Sequence, residues 1–305
     1  MAEYSIGVDL GGTNLRAAAI STNGEILASI SGRAELKSGR DAVIGDMVTA
    51  IVKLRDQVGG EMAGIGMGVP GFIIIEKGVI VGSPNLPAFD GYALRDDMEK
   101  RLGTTVVLEN DANAAALGEK WIGVGKEVDD MVLLTLGTGI GGGIVSGGHV
   151  LHGFLGMAGE IGHMTVVPDG NPCGCGNRGC LEKHASATAI SGMAKIIGLG
   201  ADLTSEQVYN LAVSGDEKAK RIFEVMGQSL GIALAMLVNI FNFPLYVLSG
   251  GPLPAWDFFA PAMFAETRSR SFTFRNSETK IVKAILGNEA GLYGAAYLPV
   301  LARKG

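Results

Sequence analysis

Two stretches of this chain repeat one pattern: strand-forming residues, a glycine turn, then strand-forming residues again. The first is YSIGVD (4–9), the turn LGGT, and NLRAAAIS (14–21). The second is MVLLTL (131–136), GTGIGGG (137–143) and IVSGGHV (144–150). Each is followed by alternating helical and strand-like segments, so the pattern predicts two similar α/β halves. A chain of 305 residues with 47% hydrophobic and 18% charged residues has ample material for both cores. Its 47 glycines sit in separate clusters, not in a low-complexity tract. They mark places where the backbone turns tightly or approaches something closely.

The remaining elements follow from periodicity and punctuation. Asn23-Gly24 is a hairpin signal leading into EILASIS. A helix is expected over 41–57, capped by Asp41, with Val43, Met47, Ile51 and Leu54 on its buried face. AGIGMGVPG and TTVVLEN (104–110) read as strands, and ANAAALGEKWIG as a helix. Segment 160–183 is irregular. Thr204 and Gln207 form a capping box, and 216–242 reads as one long helix. A buried strand (245–251), a helix (254–267), a strand (280–286) and a final helix complete the chain.

A net charge of −6 argues against duplex nucleic acid as a partner, because that affinity rests on basic surface. No apolar run reaches the ~20 residues of a membrane span. MAEYSIGVDLGG has no basic region followed by an apolar stretch, so no signal peptide is expected, and strand character from Tyr4 leaves no expectation of an N-terminal DNA-binding helical module. The expected compartment is the cytoplasm.

Chemistry concentrates in four places. Asp9-Leu10-Gly11-Gly12-Thr13-Asn14 ends a strand with a carboxylate, two glycines and a threonine. Exposed N–H groups and a hydroxyl suit phosphate, and the carboxylate suits its Mg²⁺; a plain glycine hairpin is the other reading. Gly137 to Gly143 contains G-x-G-x-x-G, but β-branched residues follow where a dinucleotide site needs a helix. A second phosphate-cradling hairpin fits better. Asn110-Asp111 closes a strand and opens a helix. There Asp111 is placed either as a general base or as a helix N-cap. Glu109 reads as a structural charge, and His149 and His152 as ordinary histidines.

The fourth place is Cys173, Cys175 and Cys180, all the cysteines of the chain, packed into eight residues with interleaved glycines. Three thiolates and one imidazole make a closed tetrahedral zinc site. His163 and His184 compete for the fourth position. Glu160 and His163 precede this loop and Glu182 follows it, a set suited to holding a polyol by charge-assisted hydrogen bonds.

Taken together, the motifs resemble those of the ROK family (repressor, open reading frame, kinase), and within it most resemble the ATP-dependent glucokinases of bacteria. The likeness rests on D-x-G-G-T, N-D-A-N-A-A-A-L-G-E (110–119), G-T-G-I-G-G-G, E-x-G-H (160–163), C-x-C-G-x-x-G-C-x-E (173–182) and Ser249-Gly250-Gly251. It implies the α/β, two-lobed, actin-like ATPase (ribonuclease H-like) fold with a cleft between lobes. The expected small lobe is 1–113 with the last helix, 289–305, and the expected large lobe is 114–288. The implied activity is ATP-dependent phosphorylation of the 6-hydroxyl of a hexose, glucose before N-acetylmannosamine, N-acetylglucosamine, fructose, mannose or allose. A non-catalytic sugar sensor is the reading from another class. Asp111 becomes the catalytic base, and Asn85, Asn110, Glu160, His163 and Glu182 join it in holding the sugar. The loops Asn85 to Tyr92 and Gly153 to Ala158 are expected to choose the hexose. Asp9, Gly11, Gly12, Thr13, Asn14, Thr138 and Gly139 face the phosphates and Mg²⁺, and Gly250 and Gly251 the adenosine. His163, Cys173, Cys175 and Cys180 ligate a structural zinc. Removing that zinc is expected to raise the sugar KM and to change the ATP KM far less, because both hairpins and Gly250-Gly251 lie outside the cysteine loop in the sequence. A homodimer is expected, without nucleic acid or membrane partners.

Overall fold

A computed structural model describes residues 3–11, 14–33, 39–83 and 86–303. Gly12, Thr13 and Asn85, three of the expected site residues, lie outside the described residues.

The chain divides into two compact units. The first comprises residues 1–129, 143–159 and 285–305. Its sheet contains β1 (Tyr4–Leu10), β2 (Asn14–Ser21), β3 (Ile26–Arg33), β4 (Met62–Val69) and, after the small hairpin β5 (Phe72–Ile74) and β6 (Val79–Val81), β7 (Val106–Asn110). The order is β3-β2-β1-β4-β7. The first three strands form the antiparallel meander that the turns predict, and β1, β4 and β7 run parallel.

Alternation along β1 sorts its two faces. Ile6, Val8 and Leu10 are buried in one core with Val43, Met47, Ile51 and Leu54 of helix α1 (Arg40–Val58). Each such side chain contributes roughly 1.5–3 kcal/mol on burial. The other face carries Gly7 and Asp9. There the C-terminal helix (Ala290–Ala302) lies almost on the sheet, and a Cβ on Gly7 would come 2.3 Å from the Leu292 carbonyl oxygen. Helix α2 (Leu94–Leu102) precedes β7, and helix α3 (Asp111–Trp121) follows it directly.

Three local expectations change. Asp41 does not cap α1; Gly39 is the cap residue and no side chain accepts there, while exposed Asp41 pairs with Arg40. The boundary expected after residue 113 would cut α3. That helix packs against the C-terminal helix so tightly that a Cβ on Gly294 would come 1.6 Å from the Ala114 carbonyl oxygen, which keeps α3 in the first unit. The last strand, expected to reach 286, ends at Lys283, because the N–H groups of Ile285 and Leu286 donate to Glu119 Oε1 instead.

The second unit comprises 130–142 and 160–284. The second five-stranded sheet has the order β10-β9-β8-β11-β12; β8 (Met131–Leu136), β11 (Leu245–Gly250), β12 (Lys280–Lys283) and the start of β9 (Ile140–Ser146) belong to this unit, while the rest of β9 and β10 (His149–Val150) fall in the stretch 143–159 counted with the first. β8, β11 and β12 are parallel. Around them stand α4 (Glu182–Ala185), α5 (Ala187–Ile196), α6 (Ser205–Val213), α7 (Glu217–Phe241), α8 (Trp256–Arg270) and α9 (Phe272–Arg275). The Thr204–Gln207 capping box forms. Among the described residues, α7 alone is long and apolar enough to cross a membrane by length and composition, and 67% of its apolar window is buried. It serves as the core helix of this unit, packed on α8, where Thr267 Oγ1 donates to the Gly231 carbonyl.

Candidate functional site

In the first unit, register sets the site. Asp9 stands level with Gly68, and Gly68 with Glu109, across β1, β4 and β7. Carboxylates at the ends of parallel strands are thereby gathered at the sheet edge where ligands of open α/β sheets bind. Asn110 resolves the two readings of its turn. Its Oδ1 accepts from the N–H of Ala112 at 2.9 Å and of Asn113 at 3.2 Å, so Asn110 is the N-cap of α3. Asp111 is therefore the first helical residue and its carboxylate is released from capping. That carboxylate accepts the neighbouring Ala112 N–H at 2.9 Å and is also hydrogen-bonded by the Asn110 side chain.

The electrostatics suit a base. Burial pushes the Asp111 carboxyl up to about 6, and the charge of Asp9 adds to the rise, against the backbone N–H of Ala112. Asp9 is also raised by burial, opposed by Arg16, which pairs with it directly. Asp9 pairs with the Arg16 guanidinium while Asp111 feels the Asp9 charge, so two carboxylates with one cation between them leave room in the charge balance for a divalent ion. Gly11 N–H donates to the Asn14 carbonyl at 2.8 Å and closes the first hairpin, while Asn14 opens β2 with an exposed side chain.

Glu109 and His152 escaped the sequence reading as a pair. Glu109 is 3% exposed; its Oε1 accepts from Asn110 N–H and from Asn113 Nδ2, both at 2.9 Å. His152 Nε2 lies 2.7 Å from Oε2. The signal available was a glutamate inside an apolar strand, since unpaired glutamates are almost never fully buried.

In the second unit the metal ligands converge. One ligand atom each of His163, Cys173, Cys175 and Cys180 lies within 4.8 Å of the others. Cys175 Sγ and Cys180 Sγ are 3.7 Å apart, and Cys173 Sγ is 3.6 Å from His163 Nδ1. Zn–S bonds of about 2.3 Å put the sulfurs of a tetrahedron about 3.8 Å apart, so this donor set can hold zinc with no open position. His184 is not the fourth ligand: it lies outside the cluster, and among the described residues its buried Nε2 has no hydrogen-bond partner. His163 uses Nδ1 toward the cysteines and turns Nε2 toward Glu160 Oε2, 3.7 Å away. Burial raises the Glu160 carboxyl, with His163 opposing and Glu182 adding to the rise. Glu160, His163 and Glu182 are thus neighbours.

Thr138 and Gly139 form the turn between β8 and β9, with Gly137 N–H donating to the Gly139 carbonyl at 2.9 Å. Gly250 pairs with Leu136 across β11 and β8, so both glycine turns leave the same sheet edge. Gly251 lines a pocket of about 330 Å³ walled by Tyr209, Phe223 and Pro254. Its walls come from α6, α7 and the turn after β11, too dispersed to be read as a motif. The hairpin is not remote from the cysteine loop, as sequence distance implied; the segment after Cys180 is bonded to it.

The ROK family model matches residues 5–301. A glucokinase of Thermotoga maritima is 37% identical over 308 residues, covering 95% of each chain. A ROK hexokinase from Thermus thermophilus superposes with a TM-score of 0.89 at 35% identity, covering 99% of both chains. A ROK family glucokinase from Streptomyces griseus, solved with glucose and AMPPNP, gives a TM-score of 0.81 at 32% identity, covering 99% of this chain and all of its own (100%).

Proposed function

This chain belongs to the ROK family, and we propose that it is an ATP-dependent hexokinase that phosphorylates the 6-hydroxyl of glucose. The observation that carries the reading is Asp111: buried beside Asp9, freed from capping by Asn110, and raised to about 6. A base poised near neutral pH is what proton removal from a sugar hydroxyl requires.

Phosphoryl transfer needs positioning and charge neutralisation more than covalent chemistry. In this reading Asp111 orients the 6-hydroxyl and accepts its proton as the γ-phosphoryl group is transferred. Asn110, Glu160, His163 and Glu182 hold ring hydroxyls, with Asn85 joining them. Gly11, Gly12, Thr13 and Asn14 from one hairpin and Thr138 and Gly139 from the other cradle the phosphates. Asp9 faces Mg²⁺, which neutralises phosphate charge when bound. Gly250 and Gly251 border the adenosine, and the pocket of Tyr209 and Phe223 receives the adenine ring by stacking. A structural zinc on His163, Cys173, Cys175 and Cys180 fixes the orientation of His163. Reduced thiolate ligands belong to a reducing compartment, so we place the enzyme in the cytoplasm. The homodimer belongs to the same reading; Ile240 and Phe272, 71% and 72% exposed in the second unit, are its candidate contacts.

The experiment is a coupled ADP-release assay over hexoses and N-acetylhexosamines. Glucose is expected to show the highest kcat/KM, mannose less, and N-acetylated sugars least. An N-acetylhexosamine at the top would overturn the glucose assignment; no turnover with any sugar would overturn the kinase.

A further inference from the structure

The hairpin of residues 137–140 is held, residue by residue, by the two arms of the cysteine loop. On the arm before the loop, Gly162 lies against β9 so closely that a Cβ on it would come 2.0 Å from the Ile140 carbonyl oxygen. On the arm after it, Glu182 brings Oε1 to 3.3 Å from Cys173 Sγ. A Cβ on Gly139 would lie 2.6 Å from the other oxygen, Oε2. Just beyond, Ala187 N–H donates to the Gly137 carbonyl at 2.8 Å, and Thr188 Oγ1 donates to the Thr138 carbonyl at 2.8 Å.

These contacts orient as well as hold. In a trans peptide the C=O and the following N–H point in opposite directions. Pinning the carbonyls of Gly137 and Thr138 against α5 therefore aims the N–H groups of Thr138 and Gly139 away from it. Those two N–H groups are the donors that a phosphate-cradling hairpin must present.

We propose that the Cys₃His cluster aligns the second hairpin for nucleotide phosphate, with Glu182 and Thr188 as positioning residues that transmit the order of the metal loop. The inference rests on the reading of residues 137–139 as a phosphate site. It extends to the nucleotide a metal influence expected mainly at the sugar site.

Two variants test it by direct binding, with calorimetric titration of ADP and of glucose. Thr188→Val removes one donor from an exposed position and leaves the cluster intact. ADP affinity is expected to fall about fivefold, the net worth of one hydrogen bond, with glucose affinity unchanged. Cys175→Ser, or treatment with a strong chelator, is expected to weaken both ligands about 10–100-fold, the scale seen when metal-site support is lost. Amide hydrogen exchange over 137–140 is expected to accelerate in the metal-free protein. Unchanged ADP affinity in Thr188→Val, or unchanged exchange and ADP affinity after metal loss, overturns the proposal. Should the native protein bind no ADP at all, the phosphate reading fails instead, and the exchange measurement still decides whether the cluster orders the hairpin.

Discussion

His152 Nε2 and Glu109 Oε2 sit 2.7 Å apart, joining the segment after β10 to the strand residue that precedes the Asn110–Asp111 turn. Glu109 is 3% exposed and also holds the Asn113 side chain and the Asn110 N–H. The pair thus braces the cap from which Asp111 projects. His152→Ala leaves a buried carboxylate without its cation. Full burial of both partners would make that cost 3–5 kcal/mol; with the His152 side chain 36% exposed, about 1–3 kcal/mol is expected. The hydrogen bond and charge of Glu109 raise the His152 pKa above its ordinary value, against burial. Stability from this pair is therefore complete below about pH 6.5 and is lost as pH rises through the raised value. Thermal melts of native protein and His152→Gln should converge between acid and alkaline pH; a constant gap would exclude the pair as the cause.

Asp111→Asn keeps the shape of the turn and removes the base. The expected loss in kcat is at least ~10²-fold, with glucose binding retained within a few-fold. The same change should stabilise the fold. Burial moves this carboxyl from its usual 3.8 to about 6, so ionisation at neutral pH costs the native state roughly 3 kcal/mol. Denaturant titration at pH 7.5 should show the variant more stable than the native enzyme. Near-native turnover would remove Asp111 from its role.

The pH profile follows from the same group. Because the base works ionised, kcat/KM should be level above about pH 6 and fall tenfold per unit below it. Steady-state rates with subsaturating glucose from pH 5 to 8 measure this. An acid limb centred near pH 4 would mean that Asp111 is not the titrating group.

Metal analysis of the purified protein should find about one zinc per chain, as one closed four-ligand site requires. Cys175→Ser should abolish it, lower the melting temperature and raise the glucose KM, because His163 spans both the cluster and Glu160. A fully active protein without zinc would defeat the assignment.

Glu119 is fully buried and accepts three backbone N–H groups: Ile285 at 3.0 Å and Leu286 at 2.8 Å on Oε1, and Val124 at 3.0 Å on Oε2. Glu119→Ala strands all three donors, each costing about 1–3 kcal/mol when buried and unpaired. A loss of roughly 3–5 kcal/mol in urea unfolding is expected, larger than for Lys120→Ala beside it, whose partner Asp129 is exposed.

Short-range chemistry was legible in the amino-acid sequence alone. A strand–turn–strand unit is written in contiguous residues, so both hairpins, the Thr204–Gln207 box and the cysteine loop could be read directly. Asp111 could be placed at a strand end, yet not separated from a cap. That took the Asn110 side chain folding over the Ala112 and Asn113 N–H groups. His163 could not be told from His184 until one proved to face the thiolates and the other to lie outside their cluster. The remaining relationships belong to tertiary structure. Strand order brings Asp9, Gly68 and Glu109 level, helix packing keeps α3 in the first unit, and α5 lays its first turn on the hairpin that sequence distance had set apart. Spacing along a chain specifies what residues a few positions apart can do together. Which distant residues meet depends on register and packing, settled only when the whole core is buried.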